Sequence, residues 1–264
     1  MYAFDYHRPS SIEEAVALLA GEDIQALAGG QTLIPTLKQR LAMPEALVDL
    51  GGIGALKGIR KDGDTLVIGA GTCHADVAAS PEVREAIPAL ADLAARIGDT
   101  QVRNRGTIGG SVANADPAAD YPAAVVGLDA TIRTNTREIA ADDFFQDLFT
   151  TALEPGELIT QIAFPIPQAA AYAKMAQPAS GYAIVGVMVA RTSEGVRVGV
   201  TGAAPYALRA TALEVALAAD FSPAAAEAVH FPAKGLNSDL HATAEYRAAL
   251  ITTLAARAVA AMGG

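Results

Sequence analysis

LAGGQTLIP, residues 27–35, and RNRGTIGGSVANADPAAD, residues 103–120, each set a glycine pair in a polar stretch beside an apolar one. In the first, Ile24–Ala28 reads as a strand that stops at Gly29 and Gly30, and Leu33–Leu41 then reads as a helix ending in Lys38 and Arg40. In the second, Gly109 and Gly110 lie in a turn, and the following loop feeds a helix expected to begin near Pro117 with Asp116 as its N-cap. Turns without β-carbons let a phosphate approach backbone N–H groups, and the helix that follows adds its positive end. One such turn is common in proteins that bind nothing. Two in one chain point to a pyrophosphate. Neither has the G-x-G-x-x-G spacing of a Rossmann site or the G-x-x-x-x-G-K-[ST] spacing of a P-loop, so both of those readings fail.

Outward from these loops, Ser11 and Glu14 stand at capping-box spacing ahead of the helical face Ile12, Val16 and Leu19. Leu47–Leu50 and Leu66–Ala70 read as strands around the turn-rich stretch Gly51–Gly63, where a subdomain boundary is placed. Helices are expected from Thr72 through Val77 and over Ile87–Ile97, with strands at Ala130–Arg133 and Leu158–Phe164 and a linker at Pro165 and Pro167. Beyond it, Tyr182–Arg191 and Val196–Val200 flank Ser193, Glu194 and Gly195 as a hairpin, and Tyr172–Met175 offers a third antiparallel strand. Ala207–Ala219, Pro223–Val229 and Ala242–Ala261 read as helices packing on that sheet. The expected fold class is α+β. Residues 1–167 form one domain in two parts, about 1–60 and 61–167, and 168–264 form a small antiparallel sheet with helices.

The chain of 264 residues is 52% hydrophobic and 18% charged, enough to bury a full core. Its net charge of -10 is spread along the chain, which leaves no basic footprint for nucleic acid. Asp5 and His7 stand where a secretory signal needs a basic patch and an apolar run, and no apolar stretch is long enough to span a bilayer. A cytoplasmic location is expected. Cys73 is the single cysteine, so this chain cannot hold an iron–sulfur cluster with its own thiolates. Cys73 and His74 cannot assemble a metal site by themselves and read as helix-start residues.

Both glycine loops, together with FDYHRPSSIEEAVALL, GELITQIAFP and YAKMAQPASGYAIVGVMVA, occur in an order that resembles the FAD-binding medium subunits of molybdenum hydroxylases, the carbon monoxide dehydrogenase and xanthine dehydrogenase family. The likeness covers nearly the whole chain. It implies a two-part FAD-binding domain of the vanillyl-alcohol-oxidase or PCMH type, with the cofactor extended between the halves. It also implies a heterotrimer, paired into a dimer of heterotrimers, in which a large subunit carries molybdopterin and a small one carries 2Fe-2S clusters. The FAD subunit there takes electrons from the iron–sulfur partner and hands them to an external acceptor.

Carried over residue by residue, the first FAD loop is Leu27, Ala28, Gly29, Gly30, Gln31, Thr32, Leu33 and Ile34, and the second is Thr107, Ile108, Gly109, Gly110 and Ser111. Asp120, Ile159 and Lys174 match positions that contact FAD in relatives, and Ile97 stands where some relatives place an aromatic neighbour of the flavin. By residue type, Thr32 and Ser111 can donate hydroxyls, Asp120 can accept from sugar or ribityl hydroxyls, and Lys174 can supply positive charge near the flavin. Tyr182 either covers one face of the flavin ring or is ordinary core. Arg103 and Arg105 either steady phosphates and a partner or are simply solvated. Gln31 stands where many relatives carry His and cannot bond covalently to a flavin, so the FAD is expected to be noncovalent. No catalytic side chain or metal ligand is expected, since the cofactor carries the chemistry. A stand-alone flavin oxidase or reductase of related fold, and a scaffold subunit that has lost FAD, are the alternatives.

Overall fold

The computed structural model describes residues 1–263, so position 264 of the expected C-terminal unit lies outside the described residues. The chain opens with β1 (Asp5–His7), α1 (Ile12–Leu19), β2 (Ile24–Leu27), α2 (Leu33–Lys38) and β3 (Ala46–Asp49). The three strands form a parallel sheet in the order β1-β3-β2. Parallel neighbours need crossovers, and α1 and α2 provide them. Ser11 caps α1 by accepting from Glu14 N at 3.2 Å, while the Glu14 carboxylate reaches Ser10 N at 2.8 Å, one residue short of the expected reciprocal box. Ala15, Val48, Ile53, Leu56 and Leu158 are the buried centre of this small core.

The stretch expected to be only turns holds two 3-10 turns and β4 (Ile59–Asp62), which forms a hairpin with β5 (Thr65–Gly69). Six helices follow: α3 (His74–Ala79), α4 (Pro81–Ala86), α5 (Pro88–Ala95), α6 (Thr100–Arg103), α7 (Ile108–Asn114) and α8 (Tyr121–Gly127). Then come β6 (Thr131–Thr134), β7 (Glu138–Ala140), α9 (Ala141–Phe144), the hairpin of β8 (Phe145–Asp147) and β9 (Thr150–Thr151), and β10 (Ile159–Pro165). The second sheet runs β4-β5-β10-β6-β7, with the helices packed against it and Tyr121, Phe144 and Phe164 fully buried. Pro165 closes β10 opposite Thr65.

Two expectations are corrected here. The helix placed near Pro117 begins at Tyr121, with Asp120 in the N-cap position, and Asp116 instead accepts from Ala118 N at 2.9 Å within a turn. Gly109 and Gly110 are not in a turn before a helix but in the first turn of α7, whose N-cap is Thr107. Thr107 Oγ1 accepts from Gly110 N at 3.1 Å, and left-handed Ala115 ends that helix before Asp116 is reached.

The remainder is β11 (Ala169–Ala176), β12 (Ala183–Thr192), β13 (Gly195–Thr201), β14 (Leu208–Arg209), α10 (Thr211–Ala219), α11 (Pro223–Glu227) and α12 (Ala244–Ala261). The strands form an antiparallel sheet in sequence order. Side chains alternate across it with the period of a strand. Val185, Val187, Val189, Val198 and Val200 face α10–α12, whereas Tyr172, Met188 and Ala190 join the core of the preceding sheet and helices. On that second face Gly127 and Gly199 let α8 lie directly on the sheet: a Cβ at Gly199 would come within 2.3 Å of the Ala123 carbonyl oxygen.

Candidate functional site

One cavity of about 1120 Å³ runs between the parallel sheet, the helical layer and the turn before β12. The carboxyl ends of all three parallel strands open into it. Arg8 follows β1, Ala28–Leu33 follow β2, and Asp49–Gly51 end β3. Ligands of α/β sheets sit at such strand ends, because the loops there bring backbone and helix starts together.

The two glycine loops meet in this cavity but are not equivalent. A Cβ at Gly29 would lie 2.2 Å from the Arg105 carbonyl oxygen and 2.6 Å from Gly106 Cα, so glycine is what lets the loops touch. Gly30 has φ +72 and packs over Leu27 and Ile34. Among the described residues, the amides of residues 29–33 donate to no protein atom, and the hydroxyl of Thr32 does not cap α2. They form a row of free donors at the mouth of a helix, the arrangement that binds anions. In the second loop the amides of residues 108–111 are already used. Ile108 N donates to Thr72 O at 3.1 Å, Gly109 N to Ala70 O at 2.8 Å, and Ser111 N to Thr107 O at 3.0 Å. What this loop offers the cavity is the side chain of Ser111 and a closely fitted wall.

At the other end of the cavity Asp120 is buried, with its carboxylate turned away from helix capping. Tyr172 donates its hydroxyl to Oδ1 at 2.5 Å, and Lys174 Nζ lies 2.9 Å away. Alternation along β11 puts Tyr172 and Lys174 on the same face, and Gly186 opposite leaves room for the Tyr172 hydroxyl. Desolvation raises the Asp120 pKa, while the Lys174 ammonium and the Tyr172 hydroxyl oppose that rise. Tyr172 is pushed well up by its own burial and by the Asp120 charge. Lys174 also donates to the Arg96 carbonyl at 3.4 Å.

Of the residues read from sequence, Ala28, Gly29, Gly30, Gln31, Thr32, Leu33, Ile97, Thr107, Gly109, Gly110, Ser111, Asp120, Ile159 and Tyr182 line this one cavity. Leu27, Ile34, Ile108 and Lys174 stand behind the wall: three support the loops, and Lys174 is held to the cavity through Asp120. Tyr182 is exposed on the turn before β12 and is not ordinary core. Arg103 is neither a cavity wall nor simply solvated. It donates to the carbonyls of Ile97 at 3.1 Å and Gly98 at 3.0 Å and so folds the loop that carries Ile97, whereas Arg105 does line the cavity. Sequence reasoning missed Arg8, Asp49, Lys57, His74, Asp116 and Glu157 as wall residues. For Asp49 a usable signal existed, since it ends an apolar strand, Ala46–Asp49, parallel to the one that feeds the first loop; Arg8 follows the polar strand Asp5–His7 and had none.

Residues 2–167 match the family described as the FAD binding domain in molybdopterin dehydrogenase. This chain belongs to that family. It is 41% identical to the carbon monoxide dehydrogenase medium chain of Afipia carboxidovorans, over 97% of this chain and 96% of that one. Reconstituted CO dehydrogenase from Oligotropha carboxidovorans contains a chain that superposes with a TM-score of 0.90 at 38% identity, over 99% of this chain and 98% of that one. Quinoline 2-oxidoreductase from Pseudomonas putida 86 contains another at 0.89 and 30%, over 99% and 97%. The chain is an FAD-binding medium subunit of the molybdenum hydroxylase type, an oxidoreductase subunit. Among the described residues no helix is long and apolar enough to cross a membrane.

The cavity fits the cofactor on its own terms. At about 1120 Å³ it is roomy enough for a dinucleotide, with free amides for a pyrophosphate, apolar walls at Ile24 and Leu158, and the buried carboxylate of Asp120.

Proposed function

We propose that this chain is the electron-transfer subunit of a heterotrimeric molybdenum hydroxylase in the cytoplasm, taking electrons from a 2Fe-2S partner subunit and passing them to an external acceptor. The substrate is hydroxylated in a large molybdopterin subunit, and the complex is a dimer of heterotrimers. The relative named a carbon monoxide dehydrogenase medium chain, a name that implies companion chains, supports the reading. The carrying observation is the row of unpaired amides at residues 29–33 facing the large cavity. Residues 1–167 hold the cofactor, in two parts about 1–60 and 61–167, and 168–264 contribute Lys174 and Tyr182 from the adjoining sheet.

In this assignment the amides of Gly29–Leu33 and the hydroxyls of Thr32 and Ser111 hold the pyrophosphate and its neighbouring oxygens. Asp120 keeps acceptor capacity on a carboxylate already anchored by Lys174 and Tyr172, so it can orient a hydroxyl without moving. Ile97, Ile159 and Tyr182, which line the cavity, would contact the bound cofactor, and Lys174 would act through Asp120 as fixed positive charge. FAD, when bound, supplies reversible electron storage between the one-electron partner and the acceptor. Gln31 spends its amide on Gly29 O at 3.1 Å and makes no covalent link.

The test is the absorbance spectrum of the purified chain, alone and co-expressed with its neighbouring reading frames, followed by acid precipitation. A flavin spectrum released to the supernatant supports a noncovalent FAD subunit. Yellow protein in the pellet rejects the noncovalent assignment, and no flavin in either preparation rejects FAD binding altogether.

A further inference from the structure

His74 lies at the junction of the two glycine loops. Its amide donates to Gly106 O at 3.0 Å, and Cys73 bridges to Thr107. The side chain is 4% exposed, yet it forms part of the cavity wall. Neither ring nitrogen has a hydrogen-bond partner among the described residues, and Nδ1 is fully enclosed against Tyr121, whose ring centroid is 5.3 Å away and whose hydroxyl is also unpaired. Buried polar atoms are nearly always paired, so an orphan imidazole at a cofactor-sized cavity calls for a ligand atom.

The geometry says which nitrogen is available. A Cβ at Gly106 would sit 2.5 Å from Nε2 and 2.8 Å from Cδ2, so any side chain there would cover this edge of the ring. Glycine leaves it bare. Burial and the nearby Arg103 charge hold the imidazole pKa down at about 4, which keeps the ring neutral, with one N–H and one lone pair. An enclosed N–H without an acceptor is the rarer and costlier arrangement, so the proton belongs on Nε2.

We infer that His74 is an FAD-binding residue that donates Nε2–H to an oxygen of the cofactor's pyrophosphate or ribityl chain, an inference that rests on the FAD reading above.

The test uses the full chain and three variants. His74→Leu removes both nitrogens, His74→Asn places an amide only near the Nδ1 position, and His74→Gln reaches the Nε2 position. In a flavin-fluorescence titration, His74→Leu and His74→Asn are expected to bind FAD about tenfold or more weakly, the scale of a lost hydrogen bond to a charged or strongly polar group, while His74→Gln stays within about threefold. ADP, which has the pyrophosphate but no ribityl chain, separates the two acceptors: it weakens in parallel if the phosphate is the partner and is unchanged if the ribityl chain is. Long-range proton–nitrogen NMR of the wild-type imidazole should show the Nε2-protonated tautomer, with the Nε2 resonance moving on FAD addition. That readout stands even if a variant fails to fold. Wild type and His74→Leu binding FAD equally tightly, or an Nε2 signal that does not move at saturation, overturns this inference alone. A wild-type chain that binds no FAD overturns the FAD reading with it.

Discussion

Glu157 is held in place by five donors around one carboxylate: Arg137 Nε and Nη2 at 3.0 Å each, Thr134 at 2.7 Å, Thr136 at 2.9 Å and Glu154 N at 2.9 Å. These hold its pKa at about 2, below the ordinary 4.5, with Arg137 as the largest cause. A depressed carboxylate stabilises the fold above its unfolded value, and that stability is lost as pH falls from about 4.5 toward 2. His74 gives a separate window. Its folded pKa is about 4 against 6.5 unfolded, so the unfolded chain takes up the proton first and stability declines as pH falls from 6.5 to 4. Urea midpoints measured across pH should therefore show two declines, with Glu157→Gln removing the more acidic and His74→Gln the milder. A His74→Gln chain with an unchanged slope between 6.5 and 4 would show that His74 is not buried as described. Neither residue was legible in the sequence as a cavity wall. Glu157 acquires its role from the β6–β7 turn some twenty positions upstream, and His74 from a loop thirty positions downstream.

At the scale of elements, the glycines of the two loops differ in a way their identical letters hide. A Cβ at Gly109 would meet Ala70 Cβ at 2.4 Å and Ala70 O at 2.7 Å, both on a neighbouring segment that cannot swing away. One at Gly29 meets the backbone of Arg105. At Gly110 the nearest atoms are Thr107 Oγ1 at 2.9 Å and Ala28 Cβ at 3.3 Å, and the residue lies inside α7, where alanine gains roughly 1 kcal/mol of helix propensity over glycine. Gly109→Ala and Gly29→Ala should each cost about 1–3 kcal/mol by overpacking and should weaken FAD binding, while Gly110→Ala should stay within about 1 kcal/mol of wild type. Chemical denaturation with a parallel flavin titration ranks them; equal losses at Gly109 and Gly110 would mean that the α7 contact with Ala70 is not tight. The strand, turn and helix of the first loop could be read from hydrophobic period and glycine position, because those features are local. The helical placement of the second pair could not. Thr107 caps α7 only because Ile108 and Gly109 find acceptors on Thr72 and Ala70, a tertiary contact that overrides the turn-like composition.

For the whole molecule, the C-terminal hairpin and the alanine-rich helices followed from β-branched alternation and alanine runs, so the α+β class was visible in the letters. How that sheet is fastened to the cofactor-binding part was not, because the fastening depends on a few polar side chains far apart in sequence. Arg197, on β13, is 8% exposed and spans the contact. It donates to the Val126 carbonyl from Nε at 3.2 Å and from Nη2 at 3.1 Å, and it pairs with Asp129 at 3.1 Å and Asp142 at 2.5 Å. These partners lie at the end of α8 and in α9, next to the place where Gly127 and Gly199 bring helix and sheet together. Arg209 also pairs with Asp142, at 3.1 Å, but its side chain is 37% exposed. Removing Arg197 takes the charged donor from Asp129 and from the Val126 carbonyl, which keeps Asp129 N at 3.3 Å, and leaves Asp142 to Arg209 alone. The cost of Arg197→Ala should be on the order of 2–3 kcal/mol, below the value for a fully buried pair because water reaches both aspartates. Arg209→Ala breaks its pair with the half-exposed Asp142 and its 2.8 Å pair with the buried Glu214, whose carboxylate keeps Val198 N as a donor, so it should cost about 1–2 kcal/mol without touching the contact of α8 with the sheet. Because Asp120 meets Tyr172 and Lys174 across the same contact, loosening it should also weaken FAD binding in the first variant and not in the second. Urea unfolding and flavin titration of both chains check the pair together. If Arg197→Ala unfolds at the wild-type midpoint, the apolar contact of α8 with the sheet holds the two parts together without it.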